Sequence, residues 1–201
     1  MKKPMHRLAL PVFLLSCSSL AFAGPVTTYV DNFEGIAGYT VLSNQYADAT
    51  FVNALELQAS DLDEAGYPPH SGTGEITDDG SGDANDFGDA IVVDFSAGMS
   101  TVSGWYTDPY GVVVTAYDAG GNVISTFNGA AVYNADLQFQ VFDTSGLDPI
   151  ASISIEDAGQ NWFSTTVDDL SYTTTPEPGS FVLLGTGLLG LAGALRRKFV
   201  R

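Results

Sequence analysis

The chain has 201 residues, 24 Asp and Glu against 7 Lys and Arg, and a formal net charge of −17. That balance excludes nucleic acid as a partner, because phosphate binding needs Lys and Arg. With 45% hydrophobic and 11% aromatic residues the chain also falls outside the disordered class that acidity alone would raise, and its length permits one domain with a sizeable core.

Lys2, Lys3 and Arg7 precede an apolar stretch from Leu8 to Leu15, and Ala21-Phe22-Ala23 supplies a small-x-small cleavage pattern before Gly24. Residues 1–23 therefore read as a secretory signal peptide. Leu14-Leu15-Ser16-Cys17 offers an alternative, a lipobox in which Cys17 becomes the lipidated first residue. Cleavage after Ala23 is preferred, since leucine just before the small residue is not the usual lipobox choice. Cys17 is the only cysteine, so that cleavage leaves a mature chain without disulfides, thiolate metal sites or a cysteine nucleophile.

Charge then separates the chain. All seven Lys and Arg lie at 2, 3, 7, 196, 197, 198 and 201, so the body contains no basic side chain except His70. Only Glu177 lies outside the body among the acids, which leaves 23 carboxylates without one Lys or Arg partner. They must be capped by backbone N–H groups and hydroxyls, screened by salt, or bound to cations.

The body, 24–174, is patterned as β throughout. Thr27–Val30, Thr50–Gln58, Ala90–Phe95, Thr101–Thr107, Val112–Asp118, Val123–Phe127, Leu137–Phe142, Ile150–Glu156 and Phe163–Tyr172 are short, rich in β-branched and aromatic residues, and separated by turn chemistry. In Ala151-Ser152-Ile153-Ser154-Ile155-Glu156 the two isoleucines share a face with Ala151 while the serines and Glu156 point the other way. Aspartate and two glycines in Asp118-Ala119-Gly120-Gly121-Asn122 predict a hairpin between Val112–Tyr117 and Val123–Phe127. No segment keeps a helical period over ten residues. About nine short strands without crossover helices predict an all-β, antiparallel jelly-roll β-sandwich.

Asp31-Asn32-Phe33-Glu34, Pro68-Pro69-His70-Ser71-Gly72, the Ala116–Gly121 hairpin and Val167-Asp168-Asp169-Leu170-Ser171-Tyr172 together resemble a jelly-roll type common among secreted bacterial proteins. It is similar to the galactose-binding-like sandwiches that include many carbohydrate-binding modules. The resemblance implies that the first and last strands are neighbours, with a structural calcium near that seam, and makes Glu34 and Asp168 its candidate ligands. The alternative for these two is a solvated edge charge and a turn cap.

Residues 70–89 read as the one long irregular stretch. Asp79, Ser81, Asp83 and Asn85 alternate there as at the start of a calcium loop, where oxygen ligands spaced by two converge on a hard cation. Ala84 and Ala90 stand where an EF-hand has its glycine and its bidentate glutamate, so an EF-hand is excluded and a looser Ca2+ site including Asp79 and Asp83 is the expectation. The alternative is a plain solvated acidic loop.

Catalysis would have to work with carboxylates, hydroxyls and His70. His70 and Ser71 are adjacent, which on an extended chain turns them apart, and no G-x-S-x-G elbow, H-E-x-x-H helix or P-loop occurs. One histidine cannot build a zinc site. The expectation is a non-enzyme. Exposed aromatics would serve sugar binding, because flat rings stack on pyranose faces. Trp105, Tyr106, Tyr110 and Trp162 lie near strand ends, and Trp105 and Trp162 are the candidate platforms, against the alternative that both are core residues.

The tail, 175–201, has three blocks. Pro176-Glu177-Pro178 comes first, then a 15-residue apolar run from Phe181 to Leu195, then Arg196-Arg197-Lys198. As a helix the run covers ~22 Å at about 1.5 Å per residue, short of a hydrocarbon core of ~30 Å, and its glycines lower helix propensity further. The basic cluster stays cytoplasmic and Pro176-Glu177-Pro178 lies on the outer side. These blocks, in this order, resemble the C-terminal signal of the PEP-CTERM family, secreted proteins of Gram-negative bacteria that make exopolysaccharide. The resemblance implies recognition by an exosortase, transient inner-membrane insertion, cutting near Pro-Glu-Pro, and delivery to the cell surface or extracellular matrix. It implies an address and leaves two readings of the body: a non-catalytic surface or matrix protein associated with exopolysaccharide or biofilm, or a carbohydrate-binding module with an aromatic sugar site.

Overall fold

A computed structural model describes residues 25–61, 66–78, 89–143, 149–159 and 165–174, together with 185, 187 and 188. Residues 26–176 form one compact unit. The strands are β1 Thr28–Asp31, β2 Thr40–Leu42, β3 Ala49–Val52, β4 Ala54–Gln58, β5 Gly74–Thr77, β6 Ile91–Asp108, β7 Val112–Tyr117, β8 Val123–Asn128, β9 Val132–Phe142, β10 Ile150–Asp157 and β11 Thr166–Thr174. Every pairing is antiparallel. The jelly-roll sandwich is therefore present, with eleven strands among the described residues rather than about nine. The apolar helix expected from 181 to 195 lies outside the described residues apart from Gly185, Gly187 and Leu188, which are helical. Among the described residues no helix is long and apolar enough to cross a membrane.

The 18-residue strand β6 organises both layers. Its first part, Ile91–Phe95, lies between β3 and β10, and β10 continues the layer to β7 and β8. Its second part, Met99–Asp108, lies between β9 and β11, and β11 carries β5 on one end and β1 on the other, with β4 and β2 beyond β5. The register jumps from Asp94 opposite Ser152 to Met99 opposite Ile150, so Phe95–Gly98 on β6 lie against the single residue Ala151 on β10. Such a bulge bends the strand and lets it turn the corner from one sheet to the other. Sequence reading divides this element into Ala90–Phe95 and Thr101–Thr107 because Ser96-Ala97-Gly98 looks like a break, and the backbone runs through it.

Other differences have local causes. Thr50–Gln58 is two strands, because Asn53 takes φ 55°, a left-handed conformation that ends the pleat and that asparagine tolerates. Strand β5 falls inside the stretch read as irregular: Gly74-Glu75-Ile76-Thr77 is too short and polar to stand out alone, and its pairing to β4 and β11 supplies its order. The predicted hairpin forms. Asp118 Oδ1 accepts N–H bonds from Gly120 at 2.7 Å and Asn122 at 2.8 Å, and Gly121 supplies φ 77°.

The core lies between the layers. Ile91, Val93, Val114, Ala116, Ile153 and Ile155 face Ile76, Val102, Tyr106, Phe139, Val141, Val167, Leu170 and Tyr172, all buried. Each fully buried aliphatic or aromatic side chain contributes ~1.5–3 kcal/mol, an upper estimate because the unfolded chain is already partly collapsed. Gly104 pairs with Phe139, and the ring of Phe139 fills the place a Cβ at 104 would need. The isoleucines of β10 are buried as expected, and Ser154 on the opposite face is covered as well because β10 is a central strand.

Candidate functional site

The register of the second sheet lines up one row on its outer face. Gln138 on β9 is opposite Trp105 on β6, and Trp105 is opposite Asp168 on β11. The register that pairs Thr77 with Thr166 and Ile76 with Val167 places Glu75 on β5 opposite Asp168 in turn. Trp105 points outward because its neighbours Gly104 and Tyr106 are on the core side, where the Tyr106 hydroxyl donates to Ala130 O at 2.9 Å.

The segment 66–74 crosses over this row from β9 to β5. Gly66 O accepts the N–H of Asn134, and Tyr67 packs edge-to-face on Tyr133. His70 lies flat on Trp105 and its Nδ1 meets Asp136 Oδ2. Ser71 donates its N–H to Asp168 Oδ2 at 2.8 Å and its hydroxyl to Asp169 Oδ1 at 3.0 Å. Thr73 and Gly74 donate their N–H groups to Glu34 Oε1 at 2.6 and 2.9 Å. Pro68 and Pro69 limit the conformations open to the crossing chain. A polar segment can lie on a sheet face because its backbone donors find carboxylates there.

Beneath it are buried acids. Glu75 and Asp168 are 1% and 2% exposed. Burial pushes Glu75 up to about 7 and Asp168 up to about 6, with the Thr166 hydrogen bond pulling the first down and the Ser71 and Asp169 N–H groups pulling the second down. Glu75 Oε1 has no hydrogen-bond partner. Asp31 behaves alike: burial raises it to about 6 against the pull of the Tyr172 hydroxyl, which donates to it at 2.9 Å. Glu56, on the core face because it is opposite Ile76, is raised by burial, while Gln58 donates to its Oε1. Glu34 is lowered, first by the Gly74 N–H and then by that of Thr73.

Glu34 and Asp168 are thus brought to one segment, on the seam where β1 pairs β11 as first and last strands. Both oxygens of Asp168 and one of Glu34 accept backbone N–H bonds. Among the described residues no group of three or more His, Cys, Asp or Glu is placed to hold a metal ion. In this structure the two carboxylates cap the crossing chain. Asp79 and Asp83 lie outside the described residues, as do Trp162 and the tail residues Pro176, Glu177, Pro178, Arg196, Arg197 and Lys198. Trp105 is half-buried with His70 on its face, so that side of the indole is closed to a ligand. Sequence reading misses Glu75 because its neighbour across the sheet is fixed only by the β5–β11 register.

Comparison with solved structures gives similar sandwiches at low identity. The K2 cleaved adhesin domain of Lys-gingipain matches with TM-score 0.49 and 13% identity over 73% of this chain and 99% of that one. A family 29 carbohydrate-binding module complexed with cellulohexaose matches with TM-score 0.39 and 14% identity over 74% and 92%. TmCBM61 in complex with β-1,4-galactotriose matches with TM-score 0.40 and 13% identity over 72% and 99%. None of their ligands is carried over to this chain. No curated protein matches the sequence. Residues 174–198 match the PEP-CTERM protein-sorting motif, and the chain is a β-sandwich that carries this motif at its C-terminal end.

Proposed function

We propose that this is a non-catalytic exported protein of a Gram-negative bacterium, processed through its C-terminal motif by an exosortase after transient inner-membrane insertion. The mature sandwich then resides at the cell surface or in the extracellular matrix, associated with exopolysaccharide or biofilm. The observation that carries this reading is the sorting motif at 174–198, which follows the compact body in sequence, and the reading of 1–23 as a signal peptide supports it. The absence of catalysis is supported by how the reactive side chains are engaged. His70 is on Trp105 and Asp136, and the Ser71 hydroxyl donates to Asp169, so the two do not form a nucleophile and base. A structural Ca2+ held by the Asp79 and Asp83 loop belongs to the same proposal, supported by the alternating oxygen side chains of its sequence.

The test is intact-mass analysis of the protein recovered from its host. The expected species lacks residues 1–23 and is cut near Pro176-Glu177-Pro178; deleting the exosortase leaves the tail in place. A mature species that still ends at Arg201 overturns the sorting reading. The second reading, a carbohydrate-binding module proper, is favoured by exposed aromatic rings at one end of the sandwich.

A further inference from the structure

Tyr110 sits in the turn from β6 to β7, Tyr133 opens β9, and Tyr67 begins the crossing segment. Tyr110 and Tyr133 are 55% and 47% exposed. The Tyr67 ring stands edge-to-face against Tyr133, with centroids 5.5 Å apart and planes at 83°. Gly66 permits that approach, since a Cβ there would run into the Tyr133 ring. Asp108 at the end of β6 is opposite Val132 at the start of β9, so the turn that carries Tyr110 and the strand start that carries Tyr133 lie at the same end of the sheet. Burial raises the Tyr67 hydroxyl there above the usual phenol range, with Tyr133, Asp108, Tyr110 and Asp157 adding to the rise.

The rings are carried on braced backbone. Asp108 Oδ1 accepts the N–H groups of Tyr110 at 2.7 Å and Gly111 at 2.9 Å, and Thr165 donates its hydroxyl to the other oxygen. Asn134, at φ 62°, donates to Gly66 O and ties β9 to the crossing segment. Aromatic groups held in place lose little freedom when a partner settles on them.

Charge selects the partner. The body has 23 carboxylates and no Lys or Arg, so anionic polymers are repelled. Of the two carboxylates nearby, Asp108 is fully buried with both oxygens engaged, and the half-buried Asp157 accepts the Gly159 N–H at 2.6 Å. What the cluster presents is flat ring surface and neutral phenol hydroxyls, which complement the C–H faces and hydroxyls of a sugar without charge. We infer that Tyr67, Tyr110 and Tyr133 form a binding site for an uncharged polysaccharide chain. It rests on the reading of this protein as polysaccharide-associated, and it places the site at the end of the sandwich instead of at Trp105, which His70 covers.

Affinity electrophoresis of the exported protein in gels containing hydroxyethylcellulose, galactan or dextran, with alginate for comparison, tests this. The expected result is retardation in at least one uncharged gel, with affinity about tenfold weaker for Tyr110→Ala and for Tyr133→Ala. Circular dichroism and melting temperature monitor folding; if Tyr133→Ala unfolds, Tyr110→Ala, whose ring is the more exposed, gives the answer. Undiminished binding in both folded variants overturns the site while polysaccharide association stands. No retardation in any gel, alginate included, overturns both. Retardation by alginate alone overturns the uncharged ligand while polysaccharide association stands.

Discussion

The imidazole of His70 lies on the indole of Trp105 with ring centroids 3.7 Å apart and planes 6° from parallel. The only histidine of the body therefore closes one face of a tryptophan that sequence reading offers as a sugar platform. Stacked aromatic pairs contribute ~0.5–1.5 kcal/mol beyond the area they bury. His70→Ala is expected to lower the melting temperature by roughly 2–4 °C per kcal/mol lost. In a Trp162→Phe background, which leaves Trp105 as the single tryptophan, the same change raises acrylamide quenching of fluorescence. Unchanged quenching would show that His70 does not shield the ring in solution.

Stability is expected to fall as pH rises from about 4 to 7. Asp31 and Asp168 are raised from 3.8 to about 6, and Glu75 from 4.5 to about 7. Between the unfolded and folded values the folded protein binds more protons than the unfolded chain, so unfolding free energy decreases with pH. Glu34 and Asp118 are lowered, and the stability they confer is lost as pH falls through their folded values. The maximum therefore lies in mild acid. Thermal scans from pH 3 to 9 check this, and Glu75→Gln is expected to flatten the decline and raise the melting temperature at pH 8. A maximum at pH 8 in the parent protein would contradict the burial of these acids.

Gly72→Ala tests the crossing segment. Gly72 has φ 55°, and a Cβ there would collide with the Glu34 carboxylate that accepts the Thr73 and Gly74 N–H groups. A non-glycine residue in that conformation costs about 1–3 kcal/mol. Differential scanning calorimetry should show a clear drop, and hydrogen exchange should speed up at Ser71, Thr73 and Gly74 while β10 stays protected. Exchange that rises uniformly would mean the segment is not a separate unit.

Calcium binding is read from melting temperature in 0.5 M salt, with millimolar calcium against chelator and magnesium as the ionic-strength control. A site in the Asp79–Asp83 loop at a hundredfold excess over Kd adds about 2.7 kcal/mol. Asp83→Asn should then abolish the calcium shift, and Asp168→Asn should leave it, because Asp168 is engaged with backbone donors. A calcium shift lost in Asp168→Asn would return the ion to the β1–β11 seam.

The sequence by itself determines the C-terminal sorting motif, the all-β class, the Asp118 hairpin and the uncompensated acidity, because each depends on composition or on neighbours a few residues apart. Period-2 alternation and turn chemistry are local, and so is the order of Pro-Glu-Pro, apolar run and basic cluster. Tertiary structure decides which acids are buried and which rings are free. Glu75 meets Asp168 only through the pairing of β5 with β11, His70 reaches Trp105 only because segment 66–74 crosses the sheet, and Tyr67 joins Tyr110 and Tyr133 only at the end of the sandwich. These contacts join residues tens of positions apart, and their register is set by strand pairing and core packing, which no local pattern encodes.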